Sequence, residues 1–169
     1  VTLFDADQED GNYYLTMEFL DGLPLDRILK KRGKLSLRDC ARLGQQIAVG
    51  LQYAHDRHIV HRDVKTSNLF FTRDRVVKIM DFGLAKMMQE VRRAATVIGG
   101  TPYYMAPEQA TGENVDHRAD LYALGVTLFE LATGTLPFRE GDVTWHHRHT
   151  PPPDPRTVVP DLPAAFADL

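Results

Sequence analysis

The chain is 169 residues long, 43% hydrophobic and 25% charged, a globular composition with enough length to bury about two-thirds of its unfolded surface in one core, which excludes disorder and collagen-like repeats. Its 20 Lys and Arg against 23 Asp and Glu leave a net charge of −3, so no overall basic field exists to hold nucleic acid or an anionic membrane. One cysteine, Cys40, excludes an internal disulfide framework and fits a reducing compartment; the most apolar stretch, Leu121 to Ala132, is broken by Thr127 and Glu130 and falls short of the roughly 20 residues of a membrane span. These features read as a soluble, cytoplasmic segment without membrane or nucleic-acid contact. Val1 in place of an initiator Met, and a last run Ala164 to Leu169 that stops in mid-pattern, read as a piece of a longer protein.

Taken in chain order, Val1–Ala6 and Tyr13–Leu20 are strand-like runs around an Asp10-Gly11-Asn12 turn, a β-hairpin. From Pro24 the period becomes helical, and Lys30, Lys31, Arg32 and Lys34 around Gly33 read as a solvated helix end, since no aromatic residues interleave the charges as in a nucleic-acid patch. Ser36 opens a long helix with Asp39 completing a capping box, Leu37, Ala41, Gly44, Ile47, Ala48, Leu51 and Ala54 on one face, and His55 and His58 as cations near its end. A second hairpin is expected from Leu69–Thr72 and Val76–Met80 around Arg73-Asp74-Arg75. Asp116–Thr133, stopped by Gly134, is apolar on most faces and predicts a central buried helix. His146, His147 and His149 beside Trp145 read as an exposed polar helix or loop, and the six prolines from Pro151 to Pro163 as an extended connector.

Chemistry concentrates in His61-Arg62-Asp63-Val64-Lys65-Thr66-Ser67-Asn68, between the long helix and the second hairpin. Asp63 and Asn68, five residues apart in a loop, can face one cavity, the carboxylate orienting a hydroxyl nucleophile and accepting its proton, the amide oxygen ligating a hard cation. Eighteen residues beyond Asp63, Asp81-Phe82-Gly83 follows a strand and offers a second oxygen ligand. Two carboxylates and an amide suit Mg2+ together with phosphate oxygens.

With Gly100-Thr101-Pro102-Tyr103-Tyr104-Met105-Ala106-Pro107-Glu108 and Asp120-Leu121-Tyr122-Ala123-Leu124-Gly125 following in order, the chain resembles the eukaryotic-type protein kinases and, within them, the Ser/Thr kinases of bacteria, for which Pro107-Glu108-Gln109-Ala110 is characteristic wording. The resemblance implies an α+β, mostly helical fold: residues 1–20 as the last two strands of a small lobe with the hinge, and residues 21–169 as a large lobe cut short. It implies Asp63 as catalytic base, Lys65 steadying the transferred phosphoryl group, Asn68 and Asp81 as metal ligands, and Thr101 bonded to Asp63 and Lys65. Met17 resembles the gatekeeper, Glu18 and Leu20 offer main-chain groups to adenine, and Phe70 covers the ring from below. Leu3, His61 and Phe82 resemble an internal stack, and Asp120 the residue that holds the catalytic loop. Arg62, with Lys86 as a second cation, suits a receptor for phosphate on Thr96. ATP and Mg2+ are the implied cofactors, and a protein carrying Ser or Thr the implied substrate.

No G-x-G-x-x-G loop and no V-A-I-K-type lysine occur in the 169 residues, which predicts little activity from this chain alone. Two other readings compete: a catalytically dead docking or scaffold module, against which the intact Asp63, Asn68 and Asp81 count, and a small-molecule phosphotransferase, against which the Gly100–Glu108 platform counts.

Overall fold

A computed structural model of the chain describes residues 1–9, 12–82, 102–112 and 115–168. Strands β1 (Leu3–Glu9) and β2 (Asn12–Met17) pair antiparallel as a two-stranded sheet, Leu3 opposite Met17 and Glu9 opposite Asn12. The expected hairpin is there, but β1 runs three residues beyond Ala6 to Glu9, because main-chain pairing persists past the apolar pattern that announces it.

A strand that no pattern announced, β3 (Gly22–Pro24), joins β4 (Leu69–Thr72) and β5 (Val77–Ile79) in an antiparallel sheet of order β3-β4-β5. Three residues are too few to show a two-residue period. Gly22 permits the pairing: a Cβ there would lie 2.2 Å from the Phe71 carbonyl oxygen, so only glycine lets the two backbones approach.

Helix α1 (Leu25–Arg32) starts after Pro24, with Asp26 in its first turn and Lys30, Lys31 and Arg32 in its last, each sign at the end of the helix dipole that favours it. Gly33 closes it at φ 76, donating its N–H to Leu29 at 2.8 Å. In α2 (Leu37–His55), Ser36 Oγ accepts the Asp39 N–H at 3.1 Å and donates to the Asp39 carboxylate at 2.8 Å. The Ser36 hydroxyl thus caps the backbone at Asp39, and the Asp39 carboxylate bonds that hydroxyl in return. Its buried face is Cys40, Leu43, Gly44, Ile47, Leu51 and Ala54, a turn of the expected stripe that leaves Ala41 and Ala48 exposed, as alanine is tolerated on any helix face. Burial pushes the Cys40 thiol up to about 11, so this cysteine acts as a small packing residue.

Helix α3 (Pro107–Thr111) is short, and α4 (Arg118–Thr133) is the central one, burying nine of its residues and ending at Gly134. The helices α2 and α4 cross where Gly44 faces Leu128, and Thr127, fully buried, donates to the Ala123 carbonyl at 2.8 Å. Leu25, Ile47, Leu51, Leu69 and Leu131 are the largest fully buried apolar side chains. Helix α5 (Val143–His149) is capped by Asp142. The proline-rich stretch is not extended throughout: Pro155–Thr157 form a 3-10 turn against α4, and Leu162 is buried before α6 (Ala164–Ala167). Among the described residues no helix is long and apolar enough to cross a membrane.

Candidate active site

The loop between α2 and β4 is held from below by one carboxylate. Asp120, 1% exposed at the start of α4, accepts the N–H of His61 at 2.8 Å and of Arg62 at 2.7 Å, and His55 Nε2 lies 2.8 Å from the same carboxylate. A buried carboxylate is stable only when its oxygens are bonded, and here three partners do so. His55 thus belongs to the site's support and is not merely a charge at a helix end. His61 Nε2 donates to the Met80 carbonyl at 2.7 Å, Nδ1 accepts the Asp63 N–H at 3.2 Å, and its ring meets Phe82 edge-on at 4.6 Å. His61 therefore links the loop to the segment carrying Asp81. Two of the four described non-glycine residues with positive φ belong to the site, Arg62 at φ 67 and Asp81 at φ 62, a local strain that persists only where surrounding bonds over-determine it.

Asp63 is where the loop's side chains converge. Lys65 Nζ donates to both of its carboxylate oxygens, at 3.0 and 2.8 Å, and Asn68 Nδ2 donates to its carboxylate at 2.9 Å and its carbonyl at 2.8 Å. Asn68 is 8% exposed and its carbonyl accepts the Met80 N–H at 2.8 Å. The Asp63 carboxylate is fixed from two sides and still open, its side chain 46% exposed.

The segment after residue 101 is tied to this loop by Gln109. Its Nε2 donates to the Arg62 carbonyl at 2.9 Å while its Oε1 accepts the Ala106 N–H at 3.0 Å. Tyr104 donates to Glu130 of α4 and meets the Thr66 hydroxyl at 3.1 Å; burial pushes the Glu130 carboxyl up, and burial beside Glu130 pushes the Tyr104 hydroxyl well above the ordinary phenol range. His147 is buried, in contrast to the exposed helix expected, with its ring between the Tyr122 hydroxyl at 2.6 Å and the Tyr103 carbonyl at 3.1 Å. Burial pushes His147 down and Tyr122 up to about 12.

Of the nucleotide-facing candidates, Met17 ends β2 at 38% exposed, Leu20 is half-buried, and Phe70 sits in β4 opposite Pro24 and Lys78. Glu18 does more than present its backbone: its carboxylate accepts the Thr2 N–H at 2.7 Å and Lys78 Nζ at 3.2 Å, tying the first hairpin to β5 and holding the carboxyl below its usual range. Thr101, Lys86 and Thr96 lie outside the described residues. The sequence reading missed His55, Gln109 and the Glu18–Lys78 pair. Only the Glu-Gln wording after Pro107 signalled Gln109; the others join residues 65 and 60 positions apart, with no local pattern.

Comparison with known proteins bears on the family. The family model described as Protein kinase domain matches residues 1–152. The chain is 43% identical to the serine/threonine-protein kinase Pkn1 of Myxococcus xanthus over 98% of its length, and 40% identical to the serine/threonine-protein kinase PknA of Mycobacterium tuberculosis over 95%. It spans 25% of the first relative and 38% of the second. On the matched length and these identities, the chain belongs to the protein kinase domain family, among the eukaryotic-type serine/threonine kinases of bacteria.

Proposed function

We propose that this chain is the catalytic portion of a serine/threonine protein kinase that transfers the γ-phosphoryl group of ATP to Ser and Thr hydroxyls of a protein. The observation that carries the reading is the convergence of Lys65 and Asn68 on an open Asp63 carboxylate. In this reading the acceptor oxygen attacks phosphorus, the bond from phosphorus to the β,γ-bridging oxygen breaks with its electrons leaving on ADP, and the hydroxyl proton passes to Asp63. Lys65 steadies the transferred group, and Thr101 shapes the floor for the acceptor. Met17, Phe70 and the main-chain groups of Glu18 and Leu20 take the adenine.

The donor set suits Mg2+. Asn68 Nδ2 makes both bonds to Asp63, which leaves Oδ1 as its cation-facing atom, and Asp81 adds an exposed carboxylate, two hard oxygens of the kind this ion takes beside phosphates. Bound there, Mg2+ supplies charge neutralisation on the phosphates. A cytoplasmic location suits a site that draws on ATP.

The test uses the full-length protein with labelled ATP and a Ser/Thr-bearing protein substrate. Asp63→Asn is expected to lower kcat by about 10^2- to 10^4-fold with Mg-ATP affinity retained, whereas Asp81→Asn lowers both. Equal loss of nucleotide binding in the two variants, or an active Asp63→Asn, refutes the division of roles.

A further inference from the structure

The charge run of residues 30–34 acquires a setting in the fold. Lys31 and Arg32 reach the rim of a cavity of about 640 Å³, walled by α1 and α2 on one side and by β3, β4 and the turn after β4 on the other. It contains none of the candidate active-site residues. Its floor is aliphatic and aromatic, with Leu25, Ile28, Leu43 and Phe71. Its rim carries five cations, Lys31, Arg32, Arg42, Arg73 and Arg75, against two carboxylates, Asp21 and Asp39.

That balance is opposite in sign to the chain as a whole, which has 23 acidic and 20 basic residues, so the clustering is local. Only one of the two carboxylates is engaged by a rim cation. Asp21 pairs with Arg73 at 3.1 Å, and Asp39 accepts the Ser36 hydroxyl at 2.8 Å. Among the described residues, no ion pair engages Lys31, Arg32, Arg42 or Arg75. An apolar floor under four cations that no ion pair engages, with the one carboxylate Asp39 left among them, is complementary to a ligand that is apolar at its centre and anionic at its flanks.

We propose that this groove docks an acidic segment of a partner protein, carboxylate side chains flanking one or two aliphatic anchors. The anchors fill the floor between α1 and α2, and the flanking carboxylates meet Lys31 and Arg42 on one wall and Arg75 on the other. A nucleic acid fits less well, because the rim offers no aromatic face for bases to stack on. The groove is separate from Asp63, so docking and phosphotransfer fail independently.

The experiment measures fluorescence polarisation of a labelled twelve-residue peptide, two leucines among glutamates, against the full-length protein. Saturable binding is expected, weakened at least tenfold by Lys31→Glu with Arg42→Glu, and several-fold by raising salt from about 50 to about 300 mM. A peptide with asparagine in place of leucine is expected to lose binding. Both substitutions fall on exposed helix positions, and an unchanged unfolding midpoint and unchanged phosphotransfer to a short unanchored substrate show that the variant is folded. Three results overturn the proposal: no saturation at millimolar peptide, equal binding of the leucine-free peptide, or a folded double variant that binds as the parent does. Tighter binding of a single-stranded oligonucleotide, lost in the same variant, also overturns it in favour of a nucleic-acid site.

Discussion

Arg62 keeps a left-handed backbone because contacts on both its faces demand it. Its N–H is taken by Asp120 at 2.7 Å and its carbonyl by Gln109 at 2.9 Å. Gln109→Ala removes the second contact and frees the Ala106 N–H as well, two bonds each worth about 0.5–1.5 kcal/mol net. The expected outcome is a protein less stable by about 1–3 kcal/mol in denaturant titration, with lowered kcat and unchanged Mg-ATP affinity, since the hinge is not touched. A variant with full kcat would show that Arg62 needs no latch. His147 gives a pH-dependent counterpart. Burial lowers its folded pKa below the ordinary 6.5, so the unfolded chain binds the proton more readily, and the stability from the neutral ring is present above pH 6.5 and lost as pH falls through the folded value. Thermal unfolding at about pH 7.5 and about pH 5.5 should therefore show a larger drop for the parent than for His147→Gln. Equal drops would mean that the ring is protonated in place.

At the scale of elements, two glycines at close contacts have opposite expectations. At Gly22 a Cβ meets backbone, the Phe71 oxygen at 2.2 Å and the Thr72 Cα at 2.7 Å, and neither can move without unpairing β3 from β4. Gly22→Ala is expected to cost about 1–3 kcal/mol. At Gly44 the nearest atom is Leu128 Cδ2, at 2.9 Å, the end of a side chain that can turn, while alanine gains about 1 kcal/mol of helix propensity. Gly44→Ala should accordingly lie within about 1 kcal/mol of the parent. Chemical denaturation of both variants checks the pair, and a reversed order would mean that the α2–α4 crossing is the more rigid contact.

For the whole molecule, the proposed phosphotransfer depends on joining Asp63 and Asp81 with the substrate platform. The proposed regulation acts on that joining: phosphate on Thr96, carrying about −2 charge, is expected to bond Arg62 and Lys86 and align Asp63. Mass spectrometry of active full-length protein should find the phosphate on Thr96, with Thr96→Ala lowering activity. A double-mutant cycle with Arg62→Ala should be non-additive. Additive effects would exclude Arg62 as the receptor.

How far the sequence went can be told from particular residues. Asp63, Asn68 and Asp81 were legible as candidates because their spacing is chemical and local, and the ends of α1 and α4 and the starts of α1 and α2 because Gly33, Gly134, Pro24 and Ser36 are local stop and start signals, whereas α4 starts at Arg118, two residues after the expected Asp116. The buried stripe of α2 was legible only in part, since Ala41 and Ala48 satisfy an apolar period without being buried. Nothing local distinguishes a histidine that ends a helix in water from His55, which meets Asp120 65 residues away, nor an exposed histidine from His147. The basic run at residues 30–34 likewise became one rim of a groove only when β4 and its turn brought Arg73 and Arg75 to the other side. Composition, caps and motif spacing act between near neighbours along the chain and so belong to the sequence alone. The tertiary structure decides which distant partner satisfies a buried polar group or faces a cation, because that depends on packing among elements that no local pattern encodes.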